Sequence, residues 1–410
     1  MTSDKCVQKW GIDMNTDVIR KLAKENQAYA LKMRREFHQN PEISGQEQQT
    51  RKRLIRELEQ MGVLYRLLPG TGLIAFVQGE KPGRGRVIRA DIDGLAVQES
   101  EKNLKQQKTC CSTVPGTAHA CGHDAHMAML LGTIRVLMAL RSELAGTVYC
   151  CFEEGEETNC GVFKMLDALK EYDIEKCFAL HVYNGLEAGK IDITPGPRMA
   201  GDIIVGIQVH GVSGHGSRPD QAINPIIPAA HIITELDSAF RNQLDAEKPL
   251  TLGICIIQAG AAPNIIPDKA YMRGTIRYFD TEEGQKAMEI VRRVSENTAD
   301  SHRCTIAFEP ELKLRLLPVV NDPAVAVQVS RDVAKIWGEE ALGSCGKWYA
   351  SECFSRYMNC WPGALGFLGI RNEELGSGAP HHNGAFDIDE SVLSLGICAE
   401  AAFAFGEAAQ

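Results

Sequence analysis

The sequence predicts an α/β protein: a mainly parallel sheet flanked by helices forms the larger domain, and a smaller α+β domain is inserted into it. Three observations carry this expectation. Short apolar runs at Leu73–Gln78 and residues 87–90, 147–152 and 177–182 read as buried strands. A helical period lies among them at residues 125–140, with Met129, Leu130, Ile134 and Leu137 on one apolar stripe. The texture then changes at Pro195-Gly196-Pro197. Strands alternating with helices imply an open parallel sheet covered on both faces.

The elements follow in order. Residues 17–60 are charged and helical, with a break at Asn40-Pro41, where the residue before proline is driven out of the helical region. The strands and the helix just named come next. Beyond residue 195, Ile203, Val205, Ile207 and Val209 alternate with other residues, as in a half-exposed strand. A helix at 225–242, strands at 250–258 and 269–279, and a helix at 281–299 complete a small α+β unit. The expected division is therefore a discontinuous first domain, residues 1–194 and 307–410, around an insert, residues 195–306.

Bulk properties exclude several function classes. A chain of 410 residues holds two or three domains at roughly 100–200 residues each. Net charge is −9 and no block of Lys and Arg stands ready to neutralise phosphates, so no nucleic-acid partner is expected. No stretch approaches the ~18 apolar residues that span a bilayer, so no membrane partner is expected either. The opening MTSDKCVQKWGIDMN has no apolar run or cleavage pattern of a leader. The 14 cysteines are scattered, and Cys110–Cys111 and Cys150–Cys151 are adjacent pairs that suit neither a disulfide nor a zinc ribbon. Thiols in a reducing cytoplasm are the expectation.

The densest chemical signal is His119-Ala120-Cys121-Gly122-His123-Asp124-Ala125-His126, between a strand and a helix. A thiolate and an imidazole two residues apart can face one metal, with Asp124 hydrogen-bonding a ligand from outside. A polar helix entry with a packed thiol is the bland reading. Next comes Phe152-Glu153-Glu154-Gly155-Glu156-Glu157, ending a strand. Four carboxylates around one glycine repel unless cations compensate them, and a general base beside a metal ligand needs such neighbours. A solvated acidic loop explains the run equally well by itself. His181 ends an apolar run and suits either a ligand or a hydrogen-bonded core position. His381-His382 precedes Phe386, and Arg89-Ala90-Asp91-Ile92-Asp93-Gly94 follows a strand. Sites in open α/β sheets form beyond the carboxyl ends of strands, so the runs ending near Ala90, Phe152 and Val182 point to one crevice.

Together these residues resemble the M20 family of metallopeptidases, above all its amidohydrolase branch of hippurate, N-acyl-amino-acid and indole-acetyl-amino-acid hydrolases. The resemblance also runs through His38-Gln39-Asn40-Pro41-Glu42, Gly214-His215-Gly216-Ser217, residues 264–268, Gly274-Thr275-Ile276-Arg277 and Ser351-Glu352. It implies two divalent metal ions per subunit and a lid domain through which two subunits form a homodimer. By resemblance, Cys121, His123, Glu157, His181 and His382 are the metal ligands. Glu156 is the base for a metal-activated water, and His215 stabilises the oxyanion across the dimer. Asn264 and Arg277 bind substrate; a guanidinium fork suits a carboxylate. Glu156 and Glu157 are chosen over Glu153 and Glu154 because they precede Thr158-Asn159-Cys160-Gly161 as the family pair precedes its glycine-rich turn. His382 is chosen over His381 for its spacing to Phe386. Cys353, Asp220 and Gly384 depart from the family pattern and bear on substrate choice.

The implied reaction is hydrolysis of a small N-acyl amino acid. A dipeptidase or aminopeptidase uses the same chemistry and is the alternative enzyme. A homologue that binds small molecules without catalysis is the alternative of another class, and the intact base and ligand set speaks against it. A structural zinc site would be a closed shell of four ligands and has no use for a free Glu. The mixed Cys, His and carboxylate set fits zinc or manganese first, then cobalt or nickel.

Overall fold

The computed structural model describes residues 16–406; the reading of the first residues as leader-free lies outside them. In chain order the elements begin with helices α1 (Thr16–Glu25), α2 (Gln27–Gln39) and α3 (Gln48–Gln60) and strands β1 (Leu64–Leu67), β2 (Leu73–Gln78) and β3 (Gly85–Asp91). Then come α4 (His123–Ala139), β4 (Thr147–Glu153), α5 (Val162–Leu169), β5 (Ile174–Glu187) and β6 (Ile191–Asp192). The middle of the chain forms β7 (Gly196–Met199), β8 (Gly201–His210), β9 (Gly214–His215), α6 (Ile226–Gln243), β10 (Leu250–Ala259), β11 (Ile265–Ile266), β12 (Lys269–Tyr278) and α7 (Thr281–Ser301). The last are β13 (Thr305–Phe308), β14 (Val319–Asn321), α8 (Pro323–Trp337), α9 (Ser355–Met358), β15 (Gly363–Arg371) and α10 (Leu393–Phe405).

The chain divides into two compact units. The first takes in the described residues up to Thr194, Asp322–Cys345 and those from Trp361 on. Its seven-stranded sheet runs β1-β2-β4-β3-β5-β15-β6. The inner strands β4, β3, β5 and β15 are parallel, and the flanking strands are antiparallel. Every residue of β3 is buried, so both faces of the sheet are covered. Helices α4 and α10 are apolar nearly all round and pack on each other inside the same core. Helix α8 starts where Asp322 accepts the N–H groups of Ala324 and Val325 and Pro323 fills the first helical position. Strand register positions the chemistry: Asp91 lies opposite Glu153, and Arg89 opposite Ala179, which sets Asp91 level with His181.

The second unit comprises Pro195–Asn321 and Gly346–Cys360. Its antiparallel sheet runs β10-β12-β8-β13, with α6 and α7 packed on an apolar face. One alternation holds and one boundary is corrected here. In β8 the apolar residues Ile203, Val205, Ile207 and Val209 are buried while Ile204, Gln208 and His210 between them are partly exposed, and the strand lies between β12 and β13. Strand β10 forms an exposed edge of this sheet. The chain does not leave this unit at 307, because β13 completes the sheet along β8. Residues 346–360 also return to it, where Trp348 exchanges backbone hydrogen bonds with Arg198 and Ala200. Hydropathy alone could not assign these short segments, since long-range pairing decides them. No helix among the described residues is long and apolar enough to cross a membrane.

Candidate metal centre and active site

The centre lies at the carboxyl ends of the parallel strands in the first unit. Gly122 adopts φ of 89° just before α4, and a Cβ there would meet Val182 Cγ2 at 2.2 Å, so only glycine makes the turn. The turn sets Cys121 and His123 close together, and both are buried. Strand β5 adds His181 from the middle of its length rather than its end. Cys121, His123 and His181 each offer a ligand atom within 4.8 Å of the others. The same spacing holds for Cys121, Glu157 and His382, and for His123, Glu156 and Glu157. All five residues expected as ligands, and the expected base, therefore converge on one small volume.

Hydrogen bonds aim the lone pairs. His123 Nδ1 lies 3.1 Å from Asp93 Oδ1, which leaves Nε2 facing the centre. His181 Nδ1 donates to the Val182 carbonyl at 2.7 Å, so its Nε2 faces Cys121 Sγ at 3.7 Å. His126 is used differently. Its Nδ1 lies 2.6 Å from Asp91 and its Nε2 accepts the Val182 N–H at 2.9 Å, so both nitrogens tie β5 to β3. Asp124 does not serve a ligand, contrary to expectation. It faces away, with Arg34 Nε and His38 Nδ1 each 2.8 Å from its Oδ2.

The arrangement suits a cation. His123 Nε2 and Glu157 Oε1 are buried, make no well-directed hydrogen bond, and lie 3.9 Å apart. His382 Nε2 comes within 3.2 Å of the same Glu157 oxygen. Buried polar atoms left unpaired cost about 1–3 kcal/mol each, and a divalent ion between them removes that cost. Of the four acids, Glu153 pairs with Arg89 and Glu154 with Lys164, while Glu156 and Glu157 turn to the centre.

The electrostatics agree. Burial and the nearby Glu157 push the Cys121 thiol well above its usual range, which a bound dication reverses. Burial opposes charge on His123, yet Asp91 and Asp93 hold its pKa well above the usual value. His181 is pushed the other way by burial and by His126 and His381. Metal binding takes the place of such protons, so affinity rises with pH.

Two residues of the centre were not given roles from sequence. Asp93 holds His123, accepts the Ser44 hydroxyl at 2.6 Å and accepts the Glu157 N–H at 3.1 Å. Its segment was singled out, but sequence separation hid its three partners. His381 lies beside the chosen His382, with its Nδ1 3.8 Å from Cys121 Sγ. Burial and His382 push its pKa down to about 3, so it stands neutral. His382 itself has φ of 62°, a conformation rare outside glycine, and its N–H donates to the Ala120 carbonyl at 2.8 Å. Gly384 leaves no room for a side chain, since a Cβ would lie 2.6 Å from the Gln98 carbonyl.

The remaining expected residues belong to the second unit. His215 is exposed on β9, with its Nδ1 2.8 Å from Ser217 Oγ, and the N–H of Gly216 donates to the Asn264 carbonyl at 2.8 Å. His215 and Asn264 thus share one end of this unit. Arg277 does not join them. It sits at the far end of β12, where Nη1 donates to Ser351 Oγ at 2.7 Å and lies 3.4 Å from Asp202. Asp220 forms an exposed pair with Arg218 at 2.7 Å.

Comparison with known proteins gives a consistent result. A model for "Peptidase family M20/M25/M40" matches residues 87–404. The chain is 33% identical over 403 residues to thermostable carboxypeptidase 2 of Saccharolobus solfataricus, covering 95% of this chain and 98% of that one. It is 34% identical over 367 residues to N-acetylcysteine deacetylase of Bacillus subtilis, covering 89% and 93%. Among solved structures it is similar to the Bacillus subtilis YXEP protein, a dinuclear metal-binding peptidase of the M20 family. There the TM-score is 0.80 with 32% identity, over 93% of this chain and 98% of that chain. The convergent donor set and these relatives together establish that the chain belongs to peptidase family M20/M25/M40 and is a metal-dependent amide-bond hydrolase.

Proposed function

We propose that the substrate is a small N-acyl amino acid and that the chain cleaves its amide to a carboxylic acid and a free amino acid. Two divalent ions per subunit, zinc or manganese first, are held by Cys121, His123, Glu157, His181 and His382. When bound they polarise the scissile carbonyl and make water acidic enough to deprotonate near neutral pH. Glu156 takes the proton from the attacking water and delivers it to the leaving nitrogen. His215 donates to the developing oxyanion from the second subunit of a homodimer. Asn264 binds the amide end of the substrate and Arg277 its carboxylate. The observation that carries this reading is the convergence of His123, Glu156 and Glu157, whose ligand atoms all lie within 4.8 Å of one another, with Cys121, His181 and His382 grouped on the same donors.

The dimer reading draws on the exposed edge of β10, where Ile256 is 41% and Ile257 is 55% exposed. An unpaired apolar edge strand is a ready pairing surface. It also draws on the separation of Arg277 from His215 and Asn264, since one subunit's second unit cannot bring both ends to a single small substrate. A cytoplasmic setting fits the thiols at Cys110, Cys111, Cys150 and Cys151.

The test is Glu156→Gln. Turnover of N-acetyl amino acids is expected to vanish while metal content per chain stays at the wild-type value. Wild-type turnover in that variant removes Glu156 as the base. The likeness to a carboxypeptidase keeps peptide cleavage as the second reading. Cleavage of free dipeptides but not N-acetyl amino acids would put that reading first.

A further inference from the structure

The turn that carries Glu156 rests on a buried carboxylate that the chemistry above does not use. Glu47 is fully buried. Its Oε1 accepts the N–H of Gly155 at 2.9 Å and that of Gly45 at 2.9 Å. Gly155 directly precedes Glu156 and has φ of 58°; a Cβ there would lie 2.0 Å from Cys160 Sγ. On the other side of Glu156, its carbonyl accepts the Asn159 N–H at 2.9 Å. Glu47 therefore grips the peptide that aims the base.

Its second oxygen poses a proton-counting problem. Glu47 Oε2 lies 2.5 Å from Thr71 Oγ1, and Glu154 Oε2 lies 2.7 Å from the same hydroxyl. Thr71 is fully buried. A hydroxyl has one proton to give. It donates to one carboxylate, and the other contact is lone pair against lone pair unless that carboxyl brings its own proton. Glu154 is the ionised partner: it also accepts the amides of Thr71 and Gly72 and the ammonium of Lys164. Glu47 makes no ion pair among the described residues, and every other contact it has is to a neutral amide.

We propose that Glu47 is a neutral carboxylic acid, donating to Thr71 Oγ1, which donates to the Glu154 carboxylate, and that this relay is the positioning device for the turn bearing Glu156. The charged groups facing the relay are Asp93 beyond β3 and Lys164 on α5. Burial pushes the Glu47 carboxyl up and Asp93 adds to that, against the pull of Thr71 and two amides. Burial also raises Glu154, but Lys164 and Thr71 outweigh it and hold that carboxyl below its usual range. The catalytic consequence rests on Glu156 being the base; the protonation of Glu47 does not.

The experiment pairs Glu47→Gln with Glu47→Ala in the full-length, metal-loaded protein. A glutamine reproduces the neutral acid: its carbonyl accepts both amides and its NH2 donates to Thr71. Glu47→Gln is expected to keep kcat and KM close to wild type, and its infrared difference spectrum to lose the carbonyl band of one protonated carboxylic acid. Glu47→Ala is expected to lower kcat by about 10²-fold with metal content and KM unchanged, the scale of a misplaced catalytic group. Glu47→Gln as inactive as Glu47→Ala, or a difference spectrum with no such band, overturns the proposal. The infrared arm needs no turnover, so it decides even if Glu47→Ala fails to fold or Glu156 proves not to be the base.

Discussion

Asp93 holds His123 through a 3.1 Å contact between Oδ1 and Nδ1, and its second oxygen accepts the Glu157 N–H at 3.1 Å. One carboxylate thus orients two of the proposed ligands, one through its ring and one through its backbone. Second partners of this kind are worth about 10–100-fold in metal affinity. Asp93→Ala is expected to weaken metal binding by about that factor, read by competition with a chromophoric chelator. Unchanged affinity would show that packing alone sets the His123 ring.

Gly122 is required by geometry, because φ of 89° and the 2.2 Å approach of Val182 to a built Cβ leave no room for alanine. Gly122→Ala must bend the turn between Cys121 and His123. Strain of this kind costs about 1–3 kcal/mol. The expected result is a lower melting temperature and less than the wild-type metal content after dialysis. A variant with full metal content and unchanged melting would contradict the turn's role.

Glu400 is a second buried acid, far in function from the centre. It is fully enclosed, its carboxylate lies 2.6 Å from Thr133 Oγ1, and burial pushes its pKa up to about 8. The folded pKa exceeds the unfolded one, so the contribution is fully present below about pH 4.5 and is lost as pH rises toward about 8. The slope is at most about 1.4 kcal/mol per pH unit within that window. Glu400→Gln removes this titration, so the melting temperature of the variant minus that of wild type is expected to be larger at pH 8 than at pH 5. Parallel melting curves for both proteins across that range would show that Glu400 is not buried as a neutral acid.

The β10 edge carries Ile256 and Ile257 into solvent within the second unit. A charge there opposes pairing of one apolar edge with another. Ile257→Lys is expected to halve the molar mass in light scattering, with the chain still folded by circular dichroism. A persistent dimer moves the interface elsewhere. A wild-type monomer withdraws the dimer altogether.

Much of the centre was legible because its chemistry is concentrated. Cys121 and His123 lie two residues apart at a helix entry, and Glu156 and Glu157 follow a buried strand. Such densities of ligating groups have few other uses. Asp124 was misread because a carboxylate beside a histidine is as close in sequence as a supporting group can be. In the fold it points to Arg34 and His38 instead. Glu47 gave no signal, since one glutamate in a charged segment looks like any solvated side chain.

The sequence by itself determined the local periods, the alternation of strands and helices, and the clusters of ligating side chains at residues 119–126 and 153–157. Those depend on side chains within a few residues of one another. Only the tertiary structure decided which strand forms an edge, where the second unit ends, and that Glu47 and Asp93 accept the N–H groups of Gly155 and Glu157. Those outcomes depend on pairings between segments far apart in the chain, such as Gly155 with Glu47 and β13 with β8. Burial then fixes what each carboxylate must do, because a charge withdrawn from water needs a partner, a metal or a proton.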